Sequence, residues 1–171
     1  MENNQQLDTL KAFDLAQLKE VIGLLKERRQ TISTAESCTA GLVSYQLTMF
    51  PGSSNYFLGG ISVYSNDVKH KILGVSSDLL DKFGAVSEEV AAAMSFNCRS
   101  LFSTDYALSL TGIAGPDGGT AEKPVGTVWC GLSSIDRQFT KRFSIDGSRN
   151  EVRGKAASLA LVLLKDFILR R

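Results

Sequence analysis

The sequence predicts an α/β fold of three layers, α/β/α, with helices on both faces of a mixed sheet. Helix-period and strand-period segments alternate along most of the chain. A late pair of strand-like segments is spaced as a hairpin and followed by a long periodic helix. At 171 residues and 43% hydrophobic content, the chain can bury one sizeable core without metals or disulfides. Helical crossovers make strands parallel and a hairpin makes them antiparallel, so the sheet combines both. Residues 1–171 are read as one domain, with 1–14 a flexible or loosely packed N-terminal segment.

Each element has its own signal. Apolar residues at 15, 18, 21, 22 and 25 mark one face of a first helix, with Lys19, Lys26 and Glu27 on the other. Thr31 to Ser33 reads as a short strand and Leu42 to Met49 as a helix, followed by the turn Pro51-Gly52-Ser53-Ser54. Gly59 to Ser65, "GGISVYS", reads as a strand that ends at Asn66, a residue suited to cap the helical "DVKHKIL". Gly74 and Gly84 bracket a short helix. Ser87 can cap "EEVAAAMSFNCRSLF", whose Glu88 and Glu89 suit a helix N-terminus and whose alanines suit close packing on a sheet.

"YALSLT" (106–111) is a strand that runs into the glycine-rich "GIAGPDGGTAEKPVG" before the strand "TVWCGLS". "RQFTKRFSI" alternates and pairs with it across Ile135-Asp136. Apolar residues at 152, 156, 159, 163 and 167 mark the last helix, within which Gly154 suggests close packing.

Composition narrows the function. Nineteen Lys and Arg against eighteen Asp and Glu leave no global field to attract nucleic acid or anionic membrane. Cys38, Cys98 and Cys130 are odd in number and far apart, which argues against a disulfide framework and against a zinc site. The N-terminus has no basic region followed by an apolar run, and "SLALVLL" stops at Lys165-Asp166. A cytoplasmic protein without metal or cofactor is expected.

The candidate chemistry lies in two polar segments at strand ends. "TAESCTAG" (34–41) places a carboxylate, two hydroxyls, a thiol and a glycine on a strand-to-helix turn. Such a turn can present Ser37 as a nucleophile, with N–H groups of the next turn stabilising an oxyanion, or Ser37 can be an ordinary N-cap. The base open to a serine is His70, the sole histidine, or Lys69. Adjacent helical residues point about 100° apart, so one of the two can face the site. Lys69 would have to lose roughly 2–3 pK units from about 10.4 to act near pH 7, and a helix N-terminus favours that loss.

Gly112, Gly115 and Gly118 are spaced G-x-x-G-x-x-G, which is neither the dinucleotide fingerprint nor a G-K-[ST] phosphate loop. The loop still leaves backbone N–H groups reachable, with Lys123 close by, which suits a small anionic or polar ligand. From the residues alone, both segments keep a structural and a functional reading.

"TAESCTAG", "VYSNDVKHKILGV", "GAVSEEVA", "LTGIAGPDGGTAEKPVGTV" and "GSRNEVR", in that order, resemble the C-terminal domain of the competence/damage-inducible protein CinA, from about Leu15 to the end of the chain. The stand-alone form of that family is a nicotinamide-nucleotide amidohydrolase. The resemblance implies deamidation of nicotinamide mononucleotide to nicotinate mononucleotide and ammonia, in pyridine-nucleotide salvage. It implies a metal-free serine–lysine mechanism with Ser37 as nucleophile, Lys69 as general base and Tyr64 organising the lysine.

The same resemblance makes Thr111 and Gly112 the start of the substrate loop. Arg149, Arg153 and amides from Gly115 to Gly119, Gly118 among them, become phosphate donors. Asp117 becomes a partner for ribose hydroxyls or a turn residue beside Pro116. Glu36 orients the site or opposes the pyridinium charge, and Thr39 to Gly41 form the turn that aims the nucleophile. N–H groups of Cys38 to Gly41 and of the Thr111-Gly112 turn are alternative oxyanion donors. A homodimer is implied, with no nucleic-acid or membrane partner.

Two alternatives stand beside this reading: a non-catalytic nucleotide-binding module, and an amidase that uses Cys38. The family motif commonly has two glycines where this chain has Ala40-Gly41, which costs about 1 kcal/mol if position 40 needs a positive φ.

Overall fold

A computed structural model describes residues 15–170; the expectation for 1–14 lies outside the described residues. The elements in chain order are α1 (Leu15–Arg28), β1 (Ile32–Glu36), α2 (Leu42–Leu47), a 3-10 turn (Ser53–Asn55), β2 (Phe57–Ser62), α3 (Asn66–Lys71), α4 (Ser77–Phe83), α5 (Glu88–Phe102), β3 (Tyr106–Gly112), β4 (Thr127–Ser133), β5 (Gln138–Ser144) and α6 (Arg149–Leu169). The expected three-layer α/β/α arrangement is present.

The sheet runs β2-β1-β3-β4-β5. β1 is parallel to β2 and to β3, whereas β3, β4 and β5 are antiparallel in succession. β1 is buried along its whole length, so it lacks the polar-apolar alternation that would have marked it over 32–36. On one face, α1, α2 and α6 cover Ile32, Leu108, Leu110, Val128, Cys130 and Leu132. On the other, α4 and α5 pack Leu80, Val90, Met94 and Cys98 against Ala35, Val63 and Ala107.

The alanines of α5 have the expected consequence. Ser109 Oγ donates to the Ala91 carbonyl at 2.6 Å, and a Cβ at Gly131 would lie 2.3 Å from the same oxygen. The helix backbone therefore rests almost directly on the sheet, at a separation only glycine and serine permit. Gly154 in α6 is buried as well.

β1 and β2 send their chains to opposite faces, β1 into α2 and β2 into α3 to α5. Their carboxyl ends are thus a switch point, where neighbouring connections diverge and leave a crevice. Ser37 and Tyr64 follow these two ends, and the glycine loop leaves the carboxyl end of β3 beside them.

Several boundaries differ from the sequence reading. β2 starts two residues earlier than expected and ends at Ser62, and Ser65 rather than Asn66 caps α3, its Oγ accepting from Val68 N–H. Serine and asparagine are both good caps; the extended Ser65 backbone puts Asn66 at the first helical position. β1 extends past Ser33 to Glu36, and α2 stops at Leu47 rather than Met49. Ser87 caps α5 as expected, and Ser148 with Glu151 forms a capping box on α6.

Candidate active site

The turn after β1 is pinned at each step. Ser37 N–H donates to the Leu110 carbonyl at 2.9 Å, which joins the turn to β3, and Ala40 N–H donates to the Ser37 carbonyl at 3.1 Å. Ala40 has φ of 51° and Gly41 φ of 96°, so two successive left-handed residues bend the chain into α2. Position 40 is therefore one where alanine is strained. Ala40→Gly is expected to stabilise the fold by about 0.5 kcal/mol, the relieved strain being partly offset by the freer unfolded chain, as a chemical-denaturation midpoint would record.

Glu36 is buried, but it does not face a ligand. Its Oε2 accepts from Gly41 N–H (3.0 Å) and Val43 N–H (3.2 Å), and its Oε1 accepts from Ser44 N–H (2.9 Å) and Ser44 Oγ (2.8 Å). The carboxylate caps the N-terminus of α2, where free N–H groups and the dipole favour negative charge, and it is absent from the cleft. Of the two roles expected for Glu36, orienting the site or opposing the substrate's charge, its contacts are those of the first, and it makes no wall for a substrate. Glu36→Ala would leave four buried or part-buried donors without their acceptor and is expected to cost on the order of 3 kcal/mol, measurable as a lowered urea midpoint.

Thr39, also expected at the substrate, is buried, its hydroxyl has no partner among the described residues, and it is likewise absent from the cleft wall. Gly41 serves the bend and the cap.

Lys69 is 1% exposed. Its Nζ lies 3.1 Å from Ser37 Oγ and donates to the Tyr64 carbonyl at 3.1 Å. Burial holds its pKa below the ordinary lysine value, with only a weaker opposing pull from Cys38. Among the described residues no carboxylate forms an ion pair with it. A hydroxyl beside a lysine that burial disposes to be neutral is an arrangement in which an amine can take the hydroxyl proton. His70, on the next helical position, is exposed and bonds the Val75 carbonyl through Nδ1 at 2.8 Å.

Cys38 also lines the cleft, but burial pushes its thiol up to about 11, with the N–H groups of Cys38 and Thr39 and the Arg153 charge opposing part of that rise. A thiol of that pKa is on the order of one part in ten thousand thiolate at pH 7. Those two N–H groups donate to no other group among the described residues, whereas the Ala40 and Gly41 amides are spent on Ser37 and Glu36.

The cleft measures about 240 Å³. Ser37, Cys38, Tyr64 and Lys69 form one wall, and Thr111, Gly112, Gly115, Asp117 and Gly118 another. Thr111 Oγ1 donates to the Ala85 carbonyl at 2.7 Å, so its hydroxyl holds the wall in place. The sequence reading missed the apolar lining of Ala85, Val86, Ile113 and Ala114. Its one signal is that these residues flank polar ones already singled out.

Tyr64 holds the lysine through its backbone carbonyl and not through its ring. The ring is 58% exposed, and its hydroxyl accepts from Arg149 Nη2 at 2.8 Å, while Arg149 Nη1 donates to the Gly115 carbonyl at 2.7 Å. Arg149 thereby links the β2 end to the glycine loop at the cleft mouth. Arg153 does not line the cleft: its Nε donates to the Cys38 carbonyl and its Nη2 to the Thr39 carbonyl, each at 3.0 Å. Lys123 is outside too, its Nζ donating to the Phe83 carbonyl at 2.7 Å and tying the loop to the end of α4. Arg153, expected at the phosphate, and Lys123, expected beside a small anionic or polar ligand, are thus both engaged by backbone acceptors outside the cleft.

A larger concavity of about 750 Å³ occupies the other end of the sheet, beside Arg28, Arg99 and Arg137. Arg28 and Arg137 donate to the Ile168 and Phe167 carbonyls, complementing the C-terminus of α6. Ser134 Oγ donates to Asp136 Oδ1 at 2.6 Å in its lining, but among the described residues no lysine lies beside that hydroxyl as Lys69 lies beside Ser37. Among the described residues no group of three His, Cys, Asp or Glu is placed to hold a metal, and no helix is long and apolar enough to cross a membrane.

Fold and cleft together define an α/β domain with a serine against a buried lysine at the carboxyl ends of its parallel strands. Residues 15–168 match the model of the CinA C-terminal domain, and the chain belongs to that family. It is 50% identical over 149 residues to a CinA-like protein of Geotalea uraniireducens, covering 87% of this chain and 36% of that protein. It is 48% identical over 150 residues to one of Kosmotoga olearia, covering 88% and 35%. The chain thus spans little more than a third of the length of these relatives. The crystal structure of the competence damage-inducible protein A of Klebsiella pneumoniae superposes with a TM-score of 0.88 at 31% identity, covering 91% of this chain and 96% of that one.

Proposed function

We propose that this chain is an amidohydrolase that deamidates nicotinamide mononucleotide to nicotinate mononucleotide and ammonia in pyridine-nucleotide salvage. The observation that carries the reading is the 3.1 Å approach to Ser37 Oγ of a buried lysine that has no carboxylate paired to it among the described residues. Neutral Lys69 takes the Ser37 proton as Oγ attacks the carboxamide carbon. The N–H group of Cys38, which lines the cleft, is the oxyanion donor this reading selects, since the Ala40 and Gly41 amides are committed. The lysine ammonium then protonates the departing amine, leaving an ester on Ser37. Water activated by Lys69 hydrolyses that ester to the carboxylate and restores the serine.

Arg149 is the phosphate partner in this scheme, since its guanidinium stands at the cleft mouth. Asp117, on the cleft wall, is within the reading's scope for ribose hydroxyls. No step calls for a metal or an organic cofactor, and the working form is taken as a cytoplasmic homodimer.

An ammonia-release assay with nicotinamide mononucleotide, nicotinamide riboside and nicotinamide tests the reading. Release from the mononucleotide alone is the expected result. Tight binding of the mononucleotide without turnover would replace the reading with that of a nucleotide-binding module.

A further inference from the structure

Arg153 is tied to the nucleophile turn in a way that bears on the chemistry. The Nε and Nη2 edge of a guanidinium presents two parallel donors, a geometry usually matched to a carboxylate. Here the two acceptors are successive backbone carbonyls, of Cys38 and Thr39, each at 3.0 Å. The remaining Nη1 reaches Asn150 Oδ1 at 3.4 Å, within the same helix.

A trans peptide is planar, and its C=O and N–H point in opposite directions. Drawing the Cys38 carbonyl toward α6 therefore turns the Thr39 N–H away from α6. That N–H has no other acceptor among the described residues and faces Cys38 Sγ, on the cleft wall. The Thr39 carbonyl shares its plane with the Ala40 N–H, which closes the turn onto the Ser37 carbonyl at 3.1 Å. The second Arg153 bond thus also steadies the strained Ala40.

We infer that Arg153 is a positioning residue, whose two-carbonyl grip holds the turn after Ser37 so that the nucleophile and the Cys38 N–H keep their places in the cleft. The inference rests on Ser37 acting as the nucleophile. It separates two arginines one helical turn apart: Arg149 meets the substrate, and Arg153 acts through the backbone.

The test measures steady-state hydrolysis of nicotinamide mononucleotide and, independently, acylation of Ser37 by p-nitrophenyl acetate, which needs an oxyanion site but neither amide nor phosphate. Arg153→Met, which keeps the apolar stem, is expected to lower kcat and the acylation rate by a similar factor of about 100, with KM within about threefold. Arg153→Lys keeps the charge but cannot span both carbonyls, and is expected to lose about tenfold. Arg149→Met should instead raise KM for nicotinamide mononucleotide.

A raised KM with intact kcat in Arg153→Met would make Arg153 a phosphate contact and overturn the inference. Equal acylation of wild type and Arg153→Met, or none in wild type, would overturn it as well. Wild type that is acylated yet releases no ammonia would remove the proposed substrate while leaving the acylation arm to decide on Arg153. A lowered melting temperature with unchanged acylation would reduce Arg153 to a structural tie.

Discussion

Ser37→Ala is expected to lower ammonia release from nicotinamide mononucleotide by about 10³-fold or more while leaving the melting temperature within a few degrees of wild type. The hydroxyl is buried but makes one side-chain contact, to Lys69, so its loss removes the nucleophile and little packing. No other group can take over at a comparable rate. Cys38 is adjacent, but a thiol pushed up to about 11 by burial supplies almost no thiolate at neutral pH. Cys38→Ala is therefore the companion variant, and it should retain most activity and be indifferent to alkylating reagents. Full activity in Ser37→Ala, with activity lost in Cys38→Ala, would reverse the two assignments.

Lys69→Met is expected to cost about 10²- to 10⁴-fold in kcat, the range for removing a positioned general base. It should also change how stability depends on pH. Burial lowers the Lys69 pKa in the folded chain below its ordinary value of 10.5. Between those two values the unfolded chain binds more protons than the folded one, so wild-type stability rises with pH through that window. Below it the folded protein carries the cost of a buried charge.

The methionine variant carries no such cost. It should be at least as stable as wild type at low pH and lack the rise toward pH 10.5, which denaturation midpoints across that range would record. The activity of wild type should climb with pH over the same window, as the amine becomes free to accept the serine proton. A wild-type stability profile flat across it would mean that Lys69 is not held neutral by burial.

Much of the frame was legible because it depends on local patterns. β4 runs over the very residues "TVWCGLS" read as a strand, Ser87 caps α5 where a serine precedes two glutamates, and α6 begins at the capping box that "SRNE" spells. β1 was legible only in part, because a strand buried on both faces gives no alternation. In the site, Ser37, Lys69, Tyr64, Thr111 and Gly112, carried by three separate motifs, line one cleft.

The misplaced roles share a physical cause. Glu36, Arg153 and Lys123 each bond backbone groups, and every residue offers those, so side-chain type does not reveal the partner. Arg153 reaches acceptors 114 and 115 positions away. Only the packing of α6 beside α2 decides that meeting. Tyr64 contributes a carbonyl to the lysine, which a tyrosine supplies no better than any other residue at that bend.

The grip of α6 on the turn after β1 also sets an order in time. The turn leaves the ribosome before Arg149 and Arg153, which follow it by more than a hundred residues. Until α6 docks through Val152, Ala156, Ala160 and Leu164, the peptide planes beside Ser37 are held on one side only, by the β3 contact. A nascent chain thus carries its serine and lysine well before it carries their alignment. Fraying of α6 in the finished protein returns the cleft to that unassembled condition with the central strands still paired.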